Sequence, residues 1–148
     1  MNIFMLDDDP VLAAKYHCDQ HVVKMILESA QIMSTVHGGK EGMYKPTHIH
    51  HPCTVWAGES TENYGWLYNL YRSLGDEYTS RYGKVHKSMS LAAALCYPPD
   101  TISATDFTTP AQAMPEDFID PDPVVAYRRY YRTKTFARWA HSPTPHWW

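Results

Sequence analysis

From Tyr16 to about His37 the chain carries a pattern that only a helix can use. Taking 100° per residue, Val22, Val23, Ile26, Leu27, Ala30 and Met33 share one face. His17, His21, Lys24, Glu28, Gln31 and Thr35, spaced 4, 3, 4, 3 and 4 apart, fall in a narrow arc opposite it. The glycines of "HGGKEG" then supply the stop that a helix C-terminus favours. Nothing elsewhere alternates for long enough to demand a sheet. A shorter helical stretch is expected near Pro52, through "CTVWAGES". A longer one follows in "STENYGWLYNLYRSLGDEYTSRYGK", where Tyr64, Leu67, Tyr68, Tyr71, Leu74 and Tyr78 recur at helical spacing and Gly65 and Gly75 weaken it. "KVHKSMSLAAALCY" reads as a further helix stopped by "PPD". "DPVVAYRRYYRTKTFARWA" reads as the last, opened by Asp122 and Pro123. The expected fold is all-α: a compact single-domain helical bundle over residues 1–148 with long loops. "MNIFML" forms an extended N-terminal segment, and residues 136–148 form an aromatic tail.

At 148 residues such a chain can bury a core without staples. No apolar run is long enough to cross a bilayer, so no membrane role is expected. The opening residues lack a basic n-region and a long apolar h-region, so no signal peptide is expected either. Cys18, Cys53 and Cys96 are odd in number and far apart, which fits reduced thiols in a cytoplasm. Net charge is −3, but unevenly placed: all 16 acidic side chains lie at or before Asp122, and Arg128, Arg129, Arg132, Lys134 and Arg138 follow with no acid among them. A basic end on an acidic body suits an anionic partner, and equally suits a basic surface helix that balances that body.

Three constellations have chemistry in them. The polar stripe of the first long helix is either a solvated face with one Lys24–Glu28 pair or a proton-transfer site. The clusters "HCDQH" (His17, Cys18, His21) and "THIHHPC" (His48, His50, His51, Cys53) are rich in metal-ligating side chains, but neither has zinc-site spacing, and no metal or other cofactor is expected. The run "AYRRYYRTKTFARW" joins arginines, which suit phosphates, to rings, which suit unpaired bases. Some of those rings must serve as the helix's apolar face. No Gly-rich phosphate loop and no Ser-His-Asp grouping stands out.

At "DQHVVKMILE" the sequence resembles the pyrimidine dimer DNA glycosylases of the phage T4 endonuclease V type. That family carries Asp-Gln-His and then a glutamate seven residues after the His, matched here by Asp19, Gln20, His21 and Glu28. The opening "MNIF" is similar to relatives that start Met-x-Ile-aromatic, and "AYRRYYR" is similar to the family's aromatic-basic run along its DNA surface. The resemblance implies an all-α fold and a catalytic acid/base at Glu28. It also implies duplex DNA with a damaged or modified base as partner, a monomer, and a location in the cytoplasm, the host's if the chain is phage-encoded. Its implied DNA contacts are Gln20, His21, Tyr127, Arg128, Arg129, Tyr131 and Arg132. The chain departs from the pattern at Leu27 and Gln31, where the family has arginines. The family's nucleophile is the α-amine exposed when Met is removed, whereas Met1 here precedes Asn2, too large a residue for efficient removal.

The chemistry so implied is a glycosylase/AP lyase that works through an amine Schiff base. An α-amine suits it, with a reference pKa of roughly 8 against about 10.4 for lysine. Met1 is the first candidate nucleophile and Lys24, one turn from Glu28, the second. Three other classes fit the same residues. One is an enzyme of this fold turned to base or nucleotide modification, such as a transferase. Another is a non-catalytic nucleic-acid-binding protein. The third is a small zinc-binding module built on the histidine and cysteine clusters.

Overall fold

Four helix starts are set locally by a capping side chain, three of them with proline in the first turn. Asp9 accepts from the Val11 amide ahead of Pro10, His51 from Cys53 ahead of Pro52, and Asp122 from Val124 ahead of Pro123. Ser60 accepts from the Asn63 amide. Each satisfies a backbone donor that the first turn would otherwise leave unpaired. A computed structural model describes the whole chain, residues 1–148, and shows six helices and no strand. They are α1 (Pro10–Tyr16), α2 (Asp19–Val36), α3 (Pro52–Glu59), α4 (Thr61–Tyr82), α5 (Ala92–Leu95) and α6 (Pro123–Tyr131), with short 3₁₀ turns at Lys87–Leu91 and Glu116–Phe118. None is long and apolar enough to cross a membrane.

The helix expected from Tyr16 to His37 is two. The chain breaks at His17 and Cys18, both extended in backbone. The carbonyls freed there are taken by Arg81 of α4, which is almost fully buried. Its guanidinium donates to the oxygens of His17 (2.8 Å) and Lys15 (3.0 Å) and pairs with Asp19 and Glu77. Burial around α2 also departs from the expected two-faced pattern. Val22, Ile26, Ala30 and Met33 are in the core as expected. Val23 and Leu27 are exposed, while His21, Glu28 and Thr35 of the polar stripe are buried. Periodicity sorts polar from apolar; it does not reveal that a second segment covers the polar side.

That second segment is the N-terminus. Ile3, Phe4, Met5 and Leu6 run as irregular coil through the core, with a turn at Phe4. Backbone carbonyls here and just beyond find partners far along the chain: Arg128 Nε donates to Leu6 O (2.8 Å), and Trp66 Nε1 to Asp8 O (2.8 Å). Long α4 buries Tyr64, Leu67, Tyr71, Leu74 and Tyr78, as its spacing predicts. Gly75, which weakens the helix locally, is where Met89 packs: a Cβ there would lie 2.5 Å from Met89 Sδ. The long connection from Pro98 to Pro123 lies along the start of α4. Ala104 O and Thr105 O accept from the Thr61 and Glu62 amides, and Asn63 exchanges hydrogen bonds with Thr108.

Two expected helices are shorter than their sequences suggest. The "KVHKSMSLAAALCY" segment is a 3₁₀ turn followed by the single turn of α5. The last helix stops at Tyr131 instead of continuing through Ala140. Beyond it, the chain turns back so that Asp19 accepts from Ala140 N (2.7 Å) and Arg138 O accepts from Asp19 N (2.8 Å). The aromatic tail packs on the body, with Trp147 buried and Trp148 partly exposed.

Candidate active site

The N-terminal segment ends its path across α2 with Met1 against Glu28. The α-amine lies 3.0 Å from Glu28 Oε1, and only about a tenth of the Glu28 side chain is exposed. A carboxylate buried to that degree needs an opposing charge, and the amine supplies it. The other oxygen, Oε2, makes no hydrogen bond; Lys24 Nζ approaches it at 3.9 Å from a side chain that is 61% exposed. Glu28, Met1 and Lys24 are therefore brought together, with the amine in closer contact than the lysine.

The pair opens onto a cavity of about 370 Å³. Its aromatic wall is built from Phe4, Tyr130 and Phe136. His21 stacks on Phe4 at 4.7 Å and meets Tyr131 and Phe136 at 5.2 and 5.3 Å. Burial, and then the charges of His17, Lys134 and Lys24, hold its pKa down to about 3, so the ring is neutral near pH 7. Its Nδ1 is buried with no partner. His21 thus cannot offer a positive charge to a phosphate or to the nucleophile. It offers an unspent ring nitrogen and a flat surface.

Two further residues of the cavity, His51 and Lys134, belong to the histidine-rich cluster and the basic end, where the sequence gives neither a place beside Glu28. His51 Nδ1 accepts from the Cys53 amide (3.1 Å), which places the proton of the neutral ring on Nε2. Burial and the Met1 amine lower its pKa, and Glu28 opposes them. Lys134 comes from the turn after α6. Its Nζ sits 4.1 Å from the centre of the Tyr130 ring and 5.5 Å from that of Phe4, and it makes no ion pair. Three amines, from Met1, Lys24 and Lys134, thus face one carboxylate, and the excess positive charge suits an anion. No local pattern marks either residue, because each reaches the cavity through a turn.

The resemblance's DNA contacts are mostly elsewhere. Tyr127 and Tyr131 are fully buried and offer no ring face to a base. The Tyr127 hydroxyl donates to Ala111 O (2.6 Å) and that of Tyr131 to Cys18 Sγ (3.2 Å), and burial pushes both hydroxyl pKa values up. Arg128 is spent on Leu6 O and Asp7, and Arg132 on Trp147 O at 2.9 and 2.6 Å. Arg129 is half-exposed but pairs with Asp120 at 3.2 Å. Gln20 is exposed on the first turn of α2, outside the cavity. The partners of Arg128 lie over a hundred residues away and that of Arg132 in the tail, where no local pattern shows them; Asp120 is nine residues from Arg129. Asp19 of the same motif is structural, bound by Arg81 and Ala140.

No three of the chain's His, Cys, Asp and Glu side chains come together as a metal site. His17 donates from Nδ1 to Ala13 O (2.6 Å), and its pKa is held to about 4 by burial. Cys18 and Cys53 are buried free thiols, and burial pushes the Cys53 pKa up to about 11.

The domain is all-helical and sets a terminal amine on a buried glutamate at the mouth of an aromatic, cationic cavity. The chain belongs to the pyrimidine dimer DNA glycosylase family, whose model matches residues 1–91. No curated protein and no solved structure matches it. Family membership brings a glycosylase-type function and DNA as substrate. The matched residues contain Met1, Lys24, Glu28 and His51; Tyr130, Lys134 and Phe136, which close the cavity, lie outside them.

Proposed function

We propose that the protein is a DNA glycosylase/AP lyase that acts on damaged or modified pyrimidines through a Schiff base on the Met1 α-amine. The observation that carries this reading is the 3.0 Å contact between that amine and the buried Glu28. To react, the amine gives up a proton, for which Glu28 Oε1 is the nearest base. The nitrogen lone pair then attacks C1′ of the deoxyribose and the base leaves, taking the proton that Glu28 holds. A proton of the new secondary ammonium passes to O4′ as the C1′–O4′ bond breaks, and the opened sugar is a cationic imine whose charge the Glu28 carboxylate stabilises at close range. Glu28 next removes a proton from C2′, the 3′ C–O bond breaks, and water releases the aldehyde.

Lys24 is the weaker nucleophile in this arrangement. It is mostly exposed, and its distance to Glu28 is 3.9 Å. The DNA surface in this proposal is the cavity rim. Lys24 and Lys134 face phosphates, while Tyr130 and Phe136 offer ring surfaces to an unstacked nucleotide. Borohydride is expected to trap a covalent adduct with abasic-site DNA, and peptide mapping is expected to place it on Met1. An adduct on Lys24 would reassign the nucleophile, and no adduct from folded protein would overturn the lyase mechanism.

A further inference from the structure

Asn2 is almost fully buried, and its side chain is spent entirely inward. Oδ1 accepts from the Ile3 amide (2.7 Å) and the Phe4 amide (3.2 Å), and Nδ2 donates to Ala113 O (2.8 Å). The thiol of Cys53 approaches the same Oδ1 at 4.0 Å. The two amide bonds curl the chain immediately before Phe4, whose φ of +39° lies in the region that side-chain-bearing residues rarely adopt. The Phe4 ring, stacked on His21 and set edge-on to Tyr131, holds that turn in place. The Ala113 bond ties the start of the chain to the connection that walls the same cavity. Met1 is itself seated: its side chain is only 4% exposed, and the Thr54 hydroxyl lies 4.0 Å from its sulfur.

We infer that Asn2 is a positioning residue that fixes the first residue of the chain, so that the amine of Met1, and not that of residue 2, meets Glu28. The inference rests on the Schiff-base reading for its consequence in catalysis, but not for its geometry. Loss of Met1 would draw the amine back by one residue, about 3.8 Å along the chain, and would empty the space its side chain fills. Asn2 therefore acts twice. Its size keeps Met1 on the chain, and its hydrogen bonds aim the amine.

Two measurements on the full-length protein test this. Intact mass identifies the terminal residue. The rate at which an amine-reactive ester labels the terminal peptide reads how firmly the amine is held, without DNA. Asn2→Leu keeps a bulky second residue and removes all three hydrogen bonds. It is expected to retain Met1 and to label at least tenfold faster, with borohydride trapping reduced at least tenfold. Asn2→Ser admits Met removal and is expected to lose Met1 and trapping together. Should Asn2→Leu fail to fold, Asn2→Asp keeps the acceptor for both amides, loses the Ala113 bond, and is expected to label severalfold faster. Unchanged labelling in the folded variant, or trapping that survives loss of Met1, would overturn the inference. Faster labelling of Asn2→Leu in a protein whose wild type is never trapped would leave the positioning role standing and remove the Schiff-base mechanism.

Discussion

The residues that match the family, 1–91, and those that follow them contribute differently to the same cavity. The first part supplies the ion pair proposed to react, Met1 and Glu28, on a segment and a helix that touch directly. The second part supplies almost none of the proton chemistry. It supplies Lys134, Tyr130 and Phe136 at the rim, and it holds the first part in shape through Arg128 on Leu6 O and Asp7, Tyr131 on Cys18, and Ala140 on Asp19. The lesson is that arginines in a basic, aromatic stretch can be held within the fold. Arg128 and Arg132 fasten other segments, Arg129 pairs with Asp120, and Lys134 is the cation of the stretch that lines the cavity.

The largest effect expected from this division belongs to the first part. Glu28→Gln keeps the shape of the side chain and removes its charge; single-turnover assays are expected to show about a thousandfold slower base release and trapping, roughly 4 kcal/mol. A loss under tenfold would break the assignment of the chemistry to this helix.

Next comes pH. Burial holds His17 to about 4 and His21 to about 3, against an ordinary 6.5. Below 6.5 the unfolded chain binds protons that the folded chain refuses, so their contribution to stability falls as pH drops, until pH 4 for His17 and 3 for His21. Each ring contributes a slope of roughly 1 kcal/mol per pH unit. Urea unfolding is expected to show a clear fall from pH 7 to pH 5. A flat profile would show that the second part does not enclose these rings as tightly as Tyr131 and Phe136 suggest.

Arg128→Met separates the fastening role from a DNA role. It strands Leu6 O and Asp7, and denaturant titration is expected to show a loss of about 2 kcal/mol. Affinity of the folded protein for duplex DNA at fixed salt is expected to change less than threefold. The reverse outcome would restore Arg128 as a DNA contact. The smallest effect is expected of Lys134→Met. Melting should be unchanged, binding to abasic-site DNA should weaken about threefold to tenfold, and the slope of log K against log salt should fall by about 0.9. An unaltered slope would leave the rim without its proposed phosphate contact.

Much of the architecture was legible locally, because helix starts are decided by near neighbours. Asp9–Pro10, Ser60 and Asp122–Pro123 mark them in the sequence and cap them in the fold. Helix ends were less legible. Those after His17 and Tyr131 depend on Arg81 and on the returning tail, which no window of sequence contains. The candidate site was half legible. Glu28 and Met1 came from a spaced motif and a terminus, whereas His51 stood only in a histidine-rich cluster, and Lys134 and Phe136 only in a basic-aromatic run, with nothing to place them at the same cavity.

The sequence alone determined that the chain is helical, that one helix carries a line of titratable groups, and that Glu28 stands out among them. It could not determine whether that line faces water. The tertiary structure decided this by laying Met1 to Leu6 across it. Burial of Glu28 and His21, neutrality of one and the amine partner of the other follow from that crossing. The physical reason is range. Periodicity and capping act over a few residues of chain, while charge compensation and desolvation act through space between segments joined only by the fold.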